Sequence, residues 1–508
     1  MASLAKTYER EKLLGQHFTP EFIVQKILDD VGYNSKSILG KSILDPACGD
    51  GRFLIEVVKR IIKYSSKNNL KKNLSFVNGW DIDPYAIQSC IENLNSLNEL
   101  KGMKIDWNIH YADSIKRSSS YLNLFSSTVS YQFDYIIGNP PYIRIQHLNE
   151  EQRNFIQRNY RFCKSGSTDI FIAFFELCFN LLKADGNAGL ITPNTFFYTE
   201  TARELREFFV ERKCVKQITN YGIIQLFDNA TTYSAITIFD KNEHSKFLYQ
   251  QANGAREFIE RNIKFSELHN QKFWQLSAEK KLKTNGTRLK DICKIHVGVT
   301  TLCDKAYIFS VEDIDENHVY GITKLKGKVK IERAILKPIV KGSTLKNGCE
   351  EIKQYIIFPY VKVNGKHQII SEQELKSKFP YTHEYLLSVK NELDKRDNGK
   401  PNSATWYAFG RTQSLDNSFG KKIIFSPMNH KPNFVFYENE ECTFYSGYCI
   451  KYDGNNFKLL KQLNSKRMQK YISISSRDFR GGWKAYNKKA IEDFPIDVDK
   501  LKIFTLKN

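Results

Sequence analysis

Short apolar strands alternate with helical patterns along the first 240 residues, and this alternation restricts the fold more than any other feature of the sequence. The segments that predict strands each end in polar residues: KSILDPACGDG, FVNGWDID, IDWNIHYADS, FDYIIGNPP, NAGLITPN and SAITIFD. Helical patterns lie between them, over residues 52–65, 86–97 and 167–186. This spacing predicts an α/β fold with a doubly wound, mostly parallel sheet. Such sheets bind ligands in the crevice beyond the carboxyl ends of their strands.

The pattern changes after about residue 245, where short mixed strands and aromatic-rich segments replace the alternation. We therefore predict two domains, 1–245 and 246–508, with the boundary between residues 245 and 290. Charge supports this division, because residues 281–508 hold 41 Lys and Arg against 25 Asp and Glu, which is most of the net charge of +20. A basic domain indicates a polyanionic partner, although a solvated basic surface is the common alternative.

The sequence favours a cytoplasmic protein without a membrane segment. The N-terminus, MASLAKTYEREKLL, is too charged for a secretory signal. The most apolar stretch, 171–182, contains Glu176 and is shorter than the roughly 20 residues of a bilayer span, so we predict a buried helix there. The ten cysteines form neither a CxxC pair nor a Cys/His array, which predicts reduced thiols and no metal site.

The first strand ends in ILDPACGDGRFL (43–54), where Asp45 opens a turn of small residues. Glycine in such a turn lets the backbone approach a ligand closely. The spacing differs from GxGxxG and from the P-loop, so pyrophosphate binding is not favoured. An acidic residue at this point suits a cationic group, such as the α-amino group of an amino acid; an ordinary tight turn is the alternative.

Acidic residues also follow the next two strands. Asp81, with Asp83 as the second candidate, lies where Rossmann-like folds bind ribose hydroxyls. Asp113 could accept a hydrogen bond from the amino group of an adenine. Each of them alone would more often be a surface loop residue. Three at successive strand ends predict a pocket for an adenosine joined to an amino acid, which is S-adenosylmethionine.

The fourth strand runs into Asn139-Pro140-Pro141-Tyr142. Two consecutive prolines remove two backbone donors and fix the direction of the chain. An exocyclic amine on an aromatic base is a poor nucleophile, because its lone pair is delocalised into the ring. The Asn139 side-chain oxygen and the Pro140 carbonyl could accept the amine hydrogens while Tyr142 stacks on the base. These fixed dipoles would stabilise the positive charge that develops on the nitrogen.

These motifs resemble those of a known family, the gamma-class DNA adenine-N6 methyltransferases of restriction–modification systems, in particular the Taq type. They occur in the family's order: GQHFTP (15–20) as the N-terminal cofactor motif, DPACGDG as the methionine-binding turn, DID as the ribose motif, ADS as the adenine motif and GNPPY as the catalytic motif. The similarity continues through LLKADGNAGLITPNTFF and ARELREFF, and more loosely through 298–309 and 463–496.

The resemblance implies a set of cofactor-binding residues: Thr19, Pro20, Asp45, Ala47, Gly49, Asp81, Ile82, Asp113, Ser114, Asn139 and Pro141. Ser114 is a departure, because the family often has an apolar or aromatic residue there beside the cofactor adenine. In the family, a phenylalanine of a later loop stacks on the opposite face of the target base. Phe227, in YGIIQLFDNATTYSAITIF, takes that position, and a core aromatic is the alternative. The implied catalytic residues are thus Asn139, Pro140, Tyr142 and Phe227.

The fold class implied by the resemblance is a Rossmann-like S-adenosylmethionine-dependent methyltransferase domain with a mixed α+β target-recognition domain at the C-terminus. The target adenine would leave double-stranded DNA and enter the pocket, because its N6 amine is unreachable in the stacked duplex. The basic half would neutralise phosphates and read base edges. Candidate DNA contacts, each of which could equally hold the fold, are Tyr407, Arg411, Gln413, Arg477, Arg480 and Trp483.

Partners follow from the same resemblance. Members of this type often act as monomers, so we expect a monomer. Some carry a fused endonuclease, but the cofactor motif begins at residue 15 and no nuclease segment is evident behind it, so a restriction endonuclease would be a separately encoded partner. Three alternatives stay open: an enzyme that methylates a glutamine amide of release factors, an RNA adenine methyltransferase, and a catalytically idle DNA-binding subunit of a defence complex.

Overall fold

The computed structural model describes residues 19–117, 132–164, 166, 168–227, 233–279, 286–476 and 478–501. The chain forms two compact units, Met1–Lys280 and Lys281–Asn508. The division falls inside the predicted interval of 245–290 but later than residue 245. The reason is that two strands between residues 246 and 264 extend the sheet of the first unit.

In the first unit, the strands that the structure describes form one sheet in the order β3-β2-β1-β4-β5-β7-β6-β8-β9. Their bounds are β1 Ile43–Asp45, β2 Val77–Asp81, β3 Asn108–Tyr111, β4 Phe133–Gly138, β5 Leu182–Pro193, β6 Val215–Asn220, β7 Ser234–Asp240, β8 Lys246–Ala252 and β9 Phe258–Lys264. The helices are α1 Glu21–Asp30, α2 Arg52–Tyr64, α3 Leu70–Leu74, α4 Pro84–Asn95, α5 Glu150–Asn159, α6 Phe171–Leu181 and α7 Arg203–Arg212.

The predicted mostly parallel sheet is confirmed. Strand β1 pairs in parallel with β2 on one side and with β4 on the other, while β2–β3 and β4–β5 are also parallel. In chain order, β2 and β3 are therefore added on one side of β1, and β4 and β5 are then added on the other side. Open α/β sheets bind ligands where the strand order reverses in this way. The carboxyl ends of β1 and β4 meet at that point.

The predicted buried helix is confirmed in α6, which is shorter than the predicted 167–186. Its side chains are buried along most of its length, including Phe171, Phe174 and Phe175. The helix ends at Leu181, because Leu182 adopts extended backbone and pairs with Phe133 of β4. The apolar pattern alone predicts a longer helix, but the pairing of Leu182 with β4 ends it.

The second unit is a mixed α+β structure, as predicted. Its strands are β10 Lys294–Val297, β11 Ile308–Ile314, β12 His318–Thr323, β13 Gly327–Glu332, β14 Leu336–Lys341, β15 Gln354–Ile357, β16 Tyr360–Val363, β17 Lys366–Ile369, β18 Lys422–Phe425, β19 Met428–Asn429, β20 Phe434–Tyr437, β21 Thr443–Tyr445, β22 Tyr448–Lys451, β23 Asp478–Phe479 and β24 Trp483–Ala485. Its helices are α8 Leu289–Ile292, α9 Asp304–Tyr307, α10 Glu372–Lys378, α11 Pro380–Ser388, α12 Lys390–Asp394, α13 Asn456–Leu463, α14 Lys466–Ser475 and α15 Lys488–Glu492. Its largest sheet has the order β13-β12-β11-β15-β14-β21.

Within the part of the chain that the structure describes, no helix is long and apolar enough to cross a membrane.

A buried carboxylate ties the starts of β1, β4 and β5 together. Asp134 accepts hydrogen bonds of 2.8 Å from the backbone N–H and the hydroxyl of Ser42 and of 2.8 Å from Lys183 Nζ. Burial acts to raise the pKa of Asp134, but the bonds from Lys183 and Ser42 outweigh it and lower the pKa to about 2. The ionised carboxylate therefore stabilises the folded state.

Replacing this carboxylate by an amide should lower the free energy of unfolding of the first unit. We expect Asp134→Asn to cost about 1–2 kcal/mol at pH 7, because the folded-state pKa lies below that of the unfolded chain. The contribution is present above about pH 4 and is lost as the pH falls towards 2. Urea unfolding measures the loss, with Asp185→Asn, at an exposed carboxyl of the same strand as Lys183, as the control. An equal loss in both variants would contradict the prediction.

Candidate functional site

A cavity of about 530 Å³ lies at the carboxyl ends of β1, β2, β3 and β4 in the first unit. Its volume is in the usual range for small-molecule sites, roughly 300–1,000 Å³. Most of the predicted cofactor-binding residues line it: Thr19, Asp45, Ala47, Gly49, Asp81, Ile82, Asp113, Ser114, Asn139 and Pro141. Pro20 does not; it precedes α1, and its carbonyl accepts bonds from Ile23 and Val24. The strand-end residues are thus brought together from distant parts of the sequence.

Asp45 is a buried carboxyl at the end of β1. It is 1% exposed, and its Oδ1 accepts a hydrogen bond of 3.0 Å from the Ala47 N–H. Burial raises the pKa of Asp45 to about 8, aided by the nearby Asp81 and opposed by the Ala47 bond. Gly49 and Gly51 have positive φ values of 52° and 88°, which let the turn fold back over the strand end. The turn thus presents a carboxyl that a cation would ionise.

Asp81 holds the ends of β1 and β2 against each other. Its Oδ2 accepts a bond of 2.8 Å from the Gly49 N–H, and its Oδ1 accepts one of 2.9 Å from the Asp83 N–H. Burial raises the pKa of Asp81, while these backbone bonds lower it. Asp83, the second candidate, caps α4 by accepting a bond of 3.0 Å from the Tyr85 N–H. It also lines the cavity.

Asp113 and Ser114 follow β3 and face the same cavity. Asp113 Oδ1 accepts bonds from the N–H groups of Ile115 and Lys116, at 3.1 and 3.3 Å. Ser114 is 5% exposed, and its hydroxyl donates to the Pro46 carbonyl at 2.5 Å. The departure at Ser114 therefore has a structural role, since its side chain ties the end of β3 to the turn after β1.

An apolar wall of the cavity was missed by the sequence analysis. It comes from the segment after Tyr142, from α5 and from the start of α6, and consists of Ile143, Leu148, Phe155, Ile156, Ile170 and Phe174. The available signal was the pair Phe155-Ile156 within the otherwise polar helix EEQRNFIQRN. Aromatic and aliphatic walls are typical of sites that hold a flat ring.

Asn139 joins this cavity to the end of β4. Its Nδ2 donates a hydrogen bond of 3.1 Å to the hydroxyl of Thr19, which is 4% exposed. Because the amide nitrogen is directed at Thr19, the amide oxygen points to the other side. Thr19, predicted as a cofactor contact, lines the cavity and also sets the orientation of the Asn139 side chain.

Pro140, Tyr142 and Phe227 are not among the described residues that line the cavity. Pro140 is buried. The Tyr142 ring meets Phe171 and Phe227 edge to face, with centroid distances of 6.4 and 6.3 Å and interplanar angles of 76° and 73°. The Tyr142 hydroxyl donates to the Ile191 carbonyl at 3.4 Å, and burial raises the pKa of Tyr142.

The predicted stacking of Phe227 on the far face of a base is not preformed. Phe227 is 3% exposed, and its centroid distance from Tyr142 lies within the range of about 4.5–7 Å for aromatic rings in direct contact. The two rings bury their surfaces against each other. Phe227 is thus a core aromatic in this structure, and its stacking role stays a prediction.

The predicted DNA contacts in the second unit have different surroundings. Tyr407 is fully buried and its hydroxyl donates to the Ile370 carbonyl at 2.6 Å, so its prediction as a surface contact is wrong and it holds the fold. Arg411 and Gln413 are exposed, and Arg411 lies 3.4 Å from the Asp397 carboxylate. Trp483 is 40% exposed, with its ring centroid 4.1 Å from that of His430. Of Arg480 the structure describes only the backbone, and Arg477 and residues 15–18 lie outside the described residues.

Comparison with known proteins gives related methyltransferases. Residues 55–227 match the model of a family described as Eco57I restriction-modification methylase. The chain is similar to the Type II restriction enzyme and methyltransferase RM.Eco57I of Escherichia coli, with 26% identity over 575 residues, 94% of this chain and 56% of that protein. It is also similar to the Type II methyltransferase M.BanIII of Aneurinibacillus aneurinilyticus, with 24% identity over 557 residues, 96% of this chain and 90% of that protein.

The fold has a solved counterpart. The Type IIL restriction-modification enzyme MmeI, solved in complex with DNA, superposes with a TM-score of 0.59 and 11% identity, over 94% of this chain and 68% of that chain. The comparisons confirm the predicted fold class and show that the chain is similar to restriction–modification methyltransferases. This chain spans little more than half the length of RM.Eco57I. The adenine target and the gamma class stay predictions.

The buried carboxyl of Asp45 should make cofactor affinity depend on pH. A bound cation favours the ionised carboxylate, so we expect affinity for S-adenosylmethionine to rise as the pH increases from 6 towards the Asp45 pKa of about 8. Between pH 6 and 7.5 the rise should be about twentyfold, because affinity changes about tenfold for each pH unit well below that pKa, where ligand binding must displace a proton. Calorimetric titration between pH 6 and 7.5 measures it. Asp45→Asn should bind more weakly with a flatter profile, and an unchanged slope in this variant would contradict the assignment.

Proposed function

We propose that this chain is a site-specific DNA adenine-N6 methyltransferase that uses S-adenosylmethionine. The observation that carries the proposal is the shared cavity: Asn139 and Pro141, which follow β4, line the same space as Asp45, Asp81 and Asp113. An acceptor for an amine and a set of carboxylates for a nucleoside cofactor are thus adjacent. This adjacency is what methyl transfer to an exocyclic amine requires.

The chemistry of the cavity fits the proposed cofactor. Asp45 would hold the amino group, and its burial at 1% exposure makes a cationic partner favourable. Asp81 would accept from ribose hydroxyls, and Asp113 from the adenine amine, while Phe155 and Phe174 supply an apolar wall for the adenine ring. When bound, the cofactor supplies an activated methyl group on a sulfonium.

The residues after β4 would prepare the target amine. The Asn139 amide oxygen and the Pro140 carbonyl would accept its two hydrogens and so direct the nitrogen lone pair towards the methyl group. Two prolines in succession limit the movement of the Pro140 carbonyl. Preorganised acceptors of this kind stabilise the positive charge that develops on the nitrogen.

Tyr142 and Phe227 would hold the flipped base between their rings. Their edge-to-face contact, with a centroid distance of 6.3 Å, must open for a base to enter between them. A bound adenine would then cover the ring surfaces that Tyr142 and Phe227 expose when their contact opens. Enzymes that modify a base take it out of the duplex in this way.

Double-stranded DNA is the proposed substrate because of the charge of the second unit and the nature of the relatives. Residues 281–508 carry an excess of 16 positive charges, which suits the phosphates of a duplex. The relatives are restriction–modification methyltransferases, and MmeI was solved with DNA. We propose a monomer that acts together with a restriction endonuclease.

The reaction is tested by expressing the chain in a host without DNA methylation and reading its DNA by single-molecule sequencing. N6-methyladenine at one motif, absent with Asn139→Ala, would support the proposal. Thermal unfolding of purified Asn139→Ala, compared with the wild type, serves as the folding control. Cofactor binding without methylated adenine in DNA would contradict the proposed substrate and make RNA or protein amides the next substrates to test.

Removing the Thr19 hydroxyl should reduce turnover more than cofactor affinity. Thr19→Val deletes the acceptor of the Asn139 Nδ2 bond, so the Asn139 side chain loses its fixed orientation. We expect kcat to fall about tenfold, a typical cost of losing alignment, with the cofactor dissociation constant changed less than about threefold. Thr19→Ser should restore kcat. Weakened cofactor binding at unchanged kcat would show instead that Thr19 serves the cofactor alone.

A further inference from the structure

A basic hairpin lies at the edge of the large sheet of the second unit. Strands β12 and β13 pair antiparallel from His318↔Glu332 to Thr323↔Gly327, and β13 is the edge strand. The sequence across the turn, TKLKGKVK, places a lysine at every second position from 324 to 330. We call residues 320–330 the lysine hairpin.

The strand register separates the two faces of the lysine hairpin. Val319 and Ile331, opposite each other, are fully buried in the core of the unit. The next pairs, Ile322↔Lys328 and Tyr320↔Lys330, point to the other face because side chains alternate along a strand. Ile322 is 45% exposed. The outer face therefore combines cations with apolar and aromatic surface.

The lysines of this hairpin are poorly neutralised. Lys324 and Lys326 are exposed, and among the described residues no carboxylate lies within ion-pair distance of either. Lys328 is 87% exposed and reaches only Glu312, at 4.0 Å. Some lysines on the helices of the same unit are paired instead, as in Lys378–Glu374 at 2.7 Å and Lys390–Asp394 at 2.7 Å.

Protection of a sheet edge explains only part of this arrangement. Lysines on an edge strand discourage pairing with another chain, which accounts for Lys328 and Lys330. Lys324 and Lys326 lie in the turn, beyond the last backbone pair of the hairpin. Unpaired cations this close together repel each other in the free protein, and binding of a polyanion would remove that repulsion.

Lys330 is held in place by aromatic rings. Its Nζ lies 4.4 Å from the centroid of Tyr381 and 5.8 Å from that of Tyr320. The Tyr320 hydroxyl donates to the Asp315 carboxylate at 3.0 Å, which fixes this ring in turn. Lys330 is therefore preorganised, and Lys328, two residues away on β13, lies about 6.8 Å from it along the strand, comparable with the spacing of successive phosphates along a DNA strand.

We propose that the lysine hairpin binds the sugar–phosphate backbone of the substrate duplex, independently of sequence, with Lys324, Lys326 and Lys328 on phosphates and Ile322 against the sugars. This inference rests on the proposed function, because it takes DNA as the substrate. It assigns to the hairpin a positioning role in DNA binding and none in reading bases, since lysines on phosphates carry no sequence information.

The test is the salt dependence of duplex binding, measured by fluorescence anisotropy on one duplex with the methylated motif and one without it. The variant K324Q/K326Q/K328Q should weaken binding of both duplexes roughly tenfold or more and lower the slope of log K against log salt by about 0.9 for each phosphate that is no longer neutralised. K324R/K326R/K328R should keep the wild-type slope. The matched control K362Q/K366Q/K376Q removes the same charge from exposed positions on β16, β17 and α10 of the same unit.

Each outcome decides the proposal. A slope that falls only in the hairpin variant supports it. An unchanged slope, or an equal fall in the control, overturns it, because general charge would then explain the binding. Thermal unfolding of the whole chain, measured alongside, must match the wild type to exclude misfolding of the second unit. A wild type that binds the cofactor but neither duplex overturns the proposed function itself, and the hairpin assignment with it.

Discussion

The close approach of β1 and β4 is the constraint on which the rest of the site depends. A Cβ atom at Gly138 would lie only 2.7 Å from Asp45 Oδ1, so a larger residue at the end of β4 would displace this carboxyl from its position. This close approach brings Asp45 and Asn139 to one cavity although 93 residues separate them in the sequence. The parallel pairing of β1 with both β2 and β4 then adds Asp81 to the same edge. The geometry of the proposed reaction thus follows from sheet topology and one small residue.

The cavity concentrates carboxyl groups at a cost that a cationic ligand can offset. Burial raises the pKa of both Asp45 and Asp81, and neighbouring carboxylates raise each further. Backbone N–H groups of Ala47, Gly49 and Asp83 reduce this cost without neutralising it. The protein therefore keeps a site that is electrostatically unfavourable by itself, which is common at sites that bind or transform a ligand.

Much of the first unit could be predicted from the sequence, because its strands and strand-end motifs are local sequence patterns. Short apolar runs predict strands that end at Asp45, Asp81 and Asp113. Parallel pairing of these strands then predicts that their ends lie at one edge of the sheet. The wall from α5, the bond between Thr19 and Asn139 and the burial of Tyr407 could not be predicted, since each depends on packing between distant segments. The division between the units falls late in the predicted interval of 245–290 for the same reason, because β8 joins β6 by a parallel pairing that no local pattern predicts.

The edge-to-face contact of Tyr142 and Phe227 has a consequence for which bases can react. In the proposed reaction an incoming base must first separate two rings whose contact is worth about 0.5–1.5 kcal/mol beyond the area that it buries. The contact would thus lower the occupancy of the pocket by any flipped base by up to about tenfold. Contacts elsewhere in the protein must supply that free energy, so that bases outside the recognised site, which lack those contacts, would react less.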